Sequence, residues 1–327
     1  MNMNNLKKVG LTALAGSLVV TSAVAGEMSV SGGASIGLKN TSKTSTGKSW
    51  TMGNQLTFSG SGELDNGLNV SLSFVLDQGD NAGKTTAADD NGTGPFDSHS
   101  VTVSSDSLGS LVFSGEGGSS AASALDTTAA GDLWDNGSGF GTPLASEAGD
   151  NSMLYTLPSI MDDLTIKAGY SPGSAGGQSA NSYSATYTGV EGLTASYGFG
   201  ETNTIQSEAE QTVMKASYAY GSFTISASQN EYKYDNSTQN DEEVSSWQVA
   251  YTVSDDISVS YGSETRDTVS STTTIDEEAE AINVSYTTGG VTLSATSYEF
   301  TGRNNSNTEG PTTGDTERWA LSATFAF

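Results

Sequence analysis

Apolar and polar residues alternate along this chain with a period of two, in one short segment after another. Leu68, Val70, Leu72, Phe74 and Leu76 share one parity, with Asn69, Ser71 and Ser73 on the other. Leu193, Ala195, Tyr197 and Phe199 alternate with Thr194, Ser196 and Gly198. Trp247, Val249, Tyr251 and Val253 do so with Gln248, Ala250 and Thr252, and Ile257, Val259 and Tyr261 with Ser258, Ser260 and Gly262. The chain ends the same way: Trp319, Leu321, Ala323, Phe325 and Phe327 against Arg318, Ala320, Ser322, Thr324 and Ala326. Successive strand side chains point to opposite faces, so each segment predicts a β-strand with one apolar and one polar face. The polar face carries mostly Ser, Thr, Ala and Gly, with few charges.

The connections decide between two all-β architectures. Long segments fall at about 40–49, 79–95, 117–150, 172–181, 201–210, 235–243, 267–278 and 302–315. Between them lie short turns at Asp65-Asn66-Gly67, Asp106–Gly109, Ser159–Asp163, Gly189–Gly192, Tyr220-Gly221, Ser254–Asp256 and Thr288–Gly290. Several carry Gly, Asn or Asp, which tolerate positive φ in tight hairpins. Strict alternation of long and short connections predicts about 16 antiparallel strands with both termini on one side. A soluble sandwich gives no reason for that alternation. A transmembrane β-barrel does, with short periplasmic turns and long extracellular loops. Closure also leaves no unpaired backbone in hydrocarbon, and a barrel this wide encloses water. Tyr155, Tyr170, Tyr187, Tyr218, Tyr251, Tyr261, Tyr286 and Trp319 fall near predicted strand ends, as interfacial girdles require.

Composition changes this picture little. A mean hydropathy of −0.31 reads as a soluble protein, but a barrel with a polar lumen has the same average. No later window is as apolar and long as a membrane helix. Residues 1–25 read as a Sec signal peptide: Lys7 and Lys8, an apolar run from Val9 to Val20, and Ala23-Val24-Ala25 before Gly26. The domain division is therefore 1–25 signal peptide and 26–327 barrel. The 38 acidic residues against 12 basic ones, two of them in that leader, give a net charge of −26. Such a chain repels nucleic acid. Cysteine is absent, which removes disulfides and thiolate chemistry.

Over its mature length the chain resembles the Gram-negative general porins of the alphaproteobacterial, Rhodobacter-type kind. The leader, the opening strand Met28–Lys39, the long third loop and the ending Ala323-Thr324-Phe325-Ala326-Phe327 carry the resemblance. It implies passive diffusion of small hydrophilic solutes through an outer-membrane channel, no cofactor, and a homotrimer. It also implies recognition of Phe327 by the outer-membrane insertion machinery, and a third loop folded into the lumen. Asp126, Asp132, Asp135, Glu147 and Asp150 would then supply an acidic constriction, with Trp134 and Phe140 packing the loop on the wall. The PEFGGD-type sequence of enterobacterial third loops is absent, which leaves the register within the loop open.

By strand parity Lys39, Lys167, Lys215, Arg266 and Arg318 fall on the lumen side, where they would face the acids across the narrowing. The alternative is local pairing with strand acids such as Glu264 or Glu317. The acid excess predicts weak cation selectivity. Asp89-Asp90, Asp241-Glu242-Glu243 and Asp276-Glu277-Glu278 read as solvated loop faces, or as Ca²⁺ ligands bridging loops or lipopolysaccharide phosphates, though without EF-hand spacing. Rival readings are a sugar or anion channel, a secreted β adhesin, and an outer-membrane enzyme. The last would depend on His99, the sole histidine, and a lone His between serines is a weak triad signal.

Overall fold

In the computed structural model, which describes residues 26–41, 48–77, 97–125, 128–136, 143–146, 150–172, 179–203, 208–236, 239–269, 274–302 and 315–327, sixteen strands form one closed antiparallel barrel. They are β1 (Glu27–Thr41), β2 (Lys48–Glu63), β3 (Asn69–Asp77), β4 (Ser98–Ser105), β5 (Gly109–Glu116), β6 (Ser152–Thr156), β7 (Leu164–Ser171) and β8 (Ser179–Val190). The second half comprises β9 (Leu193–Asn203), β10 (Glu208–Tyr220), β11 (Phe223–Tyr234), β12 (Asp241–Thr252), β13 (Ile257–Val269), β14 (Thr274–Thr288), β15 (Val291–Thr301) and β16 (Thr316–Ala326). Each pairs with its sequence neighbours, and β1 pairs with β16 to close the sheet. Beyond β16, the Phe327 carbonyl accepts from the Gly32 amide at 2.7 Å and its own amide donates back at 3.0 Å. The last residue of the chain thus extends the closing seam.

Register places the two parities on two surfaces. One row of directly paired residues runs Tyr220, Phe223, Tyr251, Val259, Val284, Ala295, Leu321, Leu38, Trp50, crossing nine strands without a charge. Tyr220, Phe223, Tyr251, Val284, Leu321 and Trp50 of this row are exposed, as are Met28, Val30, Met52, Tyr187 and Tyr218 elsewhere on that surface. An apolar outer wall is stable only against hydrocarbon. The other surface has rows such as Ser196, Lys215, Ser228, Ser246, Glu264, Ala279, Phe300, Thr316, and it faces the lumen. Two-residue turns such as Glu191-Gly192 need a backbone most side chains resist; Gly192 has φ of 77°.

The strands run further than the apolar alternation suggests. The acidic runs expected as loop faces lie inside strands instead: Asp241–Glu243 opens β12 and Asp276–Glu278 belongs to β14. Glu242 and Glu277 are buried on the lumen side, while their neighbours point outward. Directly paired Glu231, Glu243, Asp267 and Asp276 form one outward row, and Glu280, Glu299 and Glu317 another. Pairing continues past the apolar belt because backbone hydrogen bonds need no hydrophobic side chains once the wall is closed. Asp89 and Asp90 lie outside the described residues. Among the described residues no group of three or more His, Asp or Glu is placed to hold a metal ion, so the Ca²⁺ reading gains nothing here.

Candidate functional site: the third loop on the lumen wall

The segment between β5 and β6 folds onto the inner wall and is held there by side chains of that wall. Outward from β5, the Ala121 amide donates to Ser182 Oγ on β8 at 2.8 Å. A short 3-10 turn, Ser123–Leu125, follows against β9 and β10. The Ala129 and Ala130 amides then share Ser246 Oγ on β12, at 3.0 and 2.8 Å. The Leu133 amide donates to Glu264 Oε2 on β13 at 2.8 Å, opening a second turn, Leu133–Asn136, over β13 and β14. At its end the Asn136 carbonyl accepts from Arg318 Nη1 on β16. On the way back the Leu144 amide meets Glu242 Oε1 at 2.6 Å and the Ser146 amide meets Gln211 Oε1 at 2.8 Å. Asn230 Nδ2 donates to the Leu144 carbonyl at 3.0 Å. Loop amides have no partners within a strand ladder, so wall carboxylates, hydroxyls and amides supply them.

Packing reinforces these bonds. Trp134 is fully buried, with Ala130, Leu133, Ala279, Ala281 and Phe300 around it. Arg266 lies over its ring at 5.2 Å and is ion-paired to Glu277. This is an apolar cluster inside an otherwise polar lumen. Close approach is possible because the wall is hollowed where the loop rests. A Cβ at Gly198 would come within 2.8 Å of Leu125 Cδ1 and 3.0 Å of Ala122 Cα, and one at Gly262 within 2.9 Å of Ala130 Cβ. Wall glycines are therefore part of the site.

The structure distributes the expected site residues unevenly. Asp132 is exposed on the loop with φ of 53°; its Oδ1 accepts from Thr128 Oγ1 at 2.9 Å, and its amide donates to the same oxygen at 2.9 Å. Asp150 is exposed where the loop returns to β6. Asp126, Glu147 and Phe140 lie outside the described residues, as does the side chain of Asp135. All five bases share the lumen face, yet they do different things. Lys215 Nζ donates to the Thr128 carbonyl at 3.0 Å, and Arg266 is buried beneath Trp134. Both therefore sit behind the loop and not across from it. Lys167 pairs in register with Ser184 and Thr156. Lys39 and Arg318 stand together on β1 and β16.

Sequence reasoning passed over the anchors Ser182, Gln211, Asn230, Ser246 and Gln248, whose Nε2 donates to the Ala130 carbonyl at 3.1 Å, and took Glu264 for a partner of a wall base. Each has the lumen parity, and that was the available signal; which of them meets the loop depends on where the loop lies. Lumen-facing aromatics were likewise underrated. Tyr298 and Phe300 stack at 6.0 Å, and Tyr232 packs edge-on against Tyr234 at 5.2 Å. His99 stacks on Phe74, with Nδ1 3.9 Å from Glu116, and among the described residues no serine hydroxyl is hydrogen-bonded to it.

A barrel of this strand number with a long loop laid on its inner wall can be compared with known proteins. A profile of the Gram-negative porins matches residues 10–287. The chain belongs to the Gram-negative porin family. No curated protein sequence matches it. Solved outer-membrane protein structures share the fold at low identity. OmpT, an outer-membrane protein of Vibrio cholerae, is 16% identical with a TM-score of 0.70, covering 93% of this chain and 98% of its own. The anion-selective porin of Comamonas acidovorans is 16% identical with a TM-score of 0.65, over 92% and 100%. A mutant of the Rh. blastica porin is 13% identical with a TM-score of 0.60, over 92% and 100%. This porin is thus an outer-membrane β-barrel channel protein whose third loop lies against its inner wall.

Proposed function

We propose that this porin is a general diffusion channel, carrying small hydrophilic solutes and ions passively, with weak cation preference. The observation that carries the reading is the docked third loop, which occupies one side of the lumen. Wide barrels lined by polar side chains conduct hydrated solutes, and a charged narrowing filters them by charge and dipole. Cation preference is supported by the exposed Asp132 and Asp150. The net charge supports it less than its size suggests, because the acid rows on β11–β16 point away from the lumen. No step of bond making is needed and no residue is assigned a catalytic role.

Further parts of the reading rest on pattern. The leader 1–25, outside the described residues, would route the chain through Sec. Phe327 would present the insertion signal, and three barrels would associate through part of the apolar wall. The outward acid rows would face the outer leaflet, where divalent cations could link them to lipopolysaccharide phosphates. The test is reconstitution in a planar bilayer, recording conductance steps and the reversal potential under a KCl gradient. Large steps in threes with a cation-sided reversal potential are expected. Anion preference would overturn the selectivity clause, and absence of steps from folded, heat-modifiable protein would overturn the channel.

A further inference from the structure

Lys39 and Arg318 form a pair of cations with no carboxylate partner among the described residues. Lys39 pairs with Ala320 and Arg318 with Thr41, so the two are diagonal neighbours across the β1–β16 seam on the lumen face. Diagonal neighbours lie within reach of long side chains. Among the described residues no carboxylate is within 4.0 Å of either, in a chain where acids outnumber bases 38 to 12. Three other cations of the barrel have partners: Arg266 has Glu277, Lys233 has Glu231, and Lys215 has a carbonyl. Of its five N–H donors Arg318 engages one, on the Asn136 carbonyl. Its guanidinium lies over Tyr298, 5.9 Å from the ring centroid.

The pair opens on a cavity. Lys39, Arg318, Asn136, Thr296 and Tyr298 line a space of about 220 Å³. A second, of about 200 Å³, shares Asn136, Thr296 and Tyr298 and continues along the wall to Asn283. One end is cationic, and the rest offers hydroxyl, amide and carbonyl groups beside one aromatic ring. Two like charges set side by side, with no carboxylate beside them among the described residues, suit an anion supplied by a ligand.

We infer that these adjoining cavities bind small hydroxylated carboxylates of the sugar-acid class. The carboxylate bridges the Lys39 ammonium and the Arg318 guanidinium, and the hydroxylated body lies along Tyr298, Thr296 and Asn283. The inference rests on the channel reading and adds a preferred solute to it. Binding at the side of a channel is read as a saturable reduction of ion current.

The probe is gluconate, with glucose as the uncharged comparison, added to the porin in planar bilayers at 0.1 M KCl. Gluconate should reduce the current saturably, and glucose at equal concentration should not. In Lys39→Gln and in Arg318→Gln the half-blocking concentration should rise at least tenfold. Lys233→Gln, on the outer wall, should leave it unchanged. Should Arg318→Gln fail to fold, Lys39→Gln alone decides. Equal block by glucose, or gluconate block unaltered by Lys39→Gln, overturns the site. KCl steps with no saturable block overturn the site but keep the channel, whereas absence of KCl steps overturns both.

Discussion

Replacing Trp134 with alanine tests whether packing holds the third loop to the wall. The indole is fully buried and completes an apolar cluster with Leu133, Ala281 and Phe300. Truncating a buried Trp to Ala costs about 3–5 kcal/mol. The barrel itself should not register this loss, because its closure rests on sixteen paired strands that the substitution leaves intact. The loss falls on docking, and with tenfold per 1.4 kcal/mol the docked-to-undocked ratio should drop by roughly two to four orders of magnitude. Hydrogen exchange read by mass spectrometry is the direct assay. The Ala129, Ala130 and Leu133 amides, bonded to Ser246 and Glu264, should lose protection by that factor. Strand amides of β13 and β14 should keep theirs. Single-channel current should become noisier, and Trp134→Phe should restore most of the protection. Protection of residues 128–136 within tenfold of the parent in Trp134→Ala would refute the reasoning, leaving the polar anchors as sufficient.

The anchors make their own predictions. Glu264→Gln keeps an acceptor for the Leu133 amide and should cost docking only about 1 kcal/mol, whereas Glu264→Leu leaves that buried amide without a partner and should cost roughly 1–3 kcal/mol more; exchange at Leu133 ranks the two. Gly198→Val should push the outgoing strand of the loop off β9, since even its Cβ would meet Leu125 and Ala122. Overpacking of that kind costs roughly 1–3 kcal/mol, and thermolysin cleavage within 117–151 should quicken while heat-modifiable mobility of the barrel is retained.

Much of the architecture was legible in the residues because a closed sheet between lipid and water imposes a local rule at every position. Parity assigns each strand residue to one surface, so Leu321 and Val284 had to face out and Ser246 and Arg318 had to face in. Turn residues such as Gly192 marked the reversals, and the alternation of connection lengths counted the strands. Strand ends were less legible, as Asp241–Glu243 and Asp276–Glu278 show. Hydropathy marks where the apolar belt stops, whereas backbone pairing continues until the chain turns.

The site itself required the tertiary structure. The sequence alone determined that the third connection is long, rich in Gly and Asp, and furnished with one Trp. It carried no periodicity from which a path could be read. Which wall residues become anchors depends on strands 60 to 180 positions away being brought beneath the loop. Ser182, Glu264 and Arg318 meet it only because the barrel closes. The same closure divides the five lumen bases, placing Lys215 and Arg266 behind the loop and leaving Lys39 and Arg318 together at the seam where the first strand meets the last. Parity is a property of neighbours in sequence, but the partner of a charge is a property of neighbours in space.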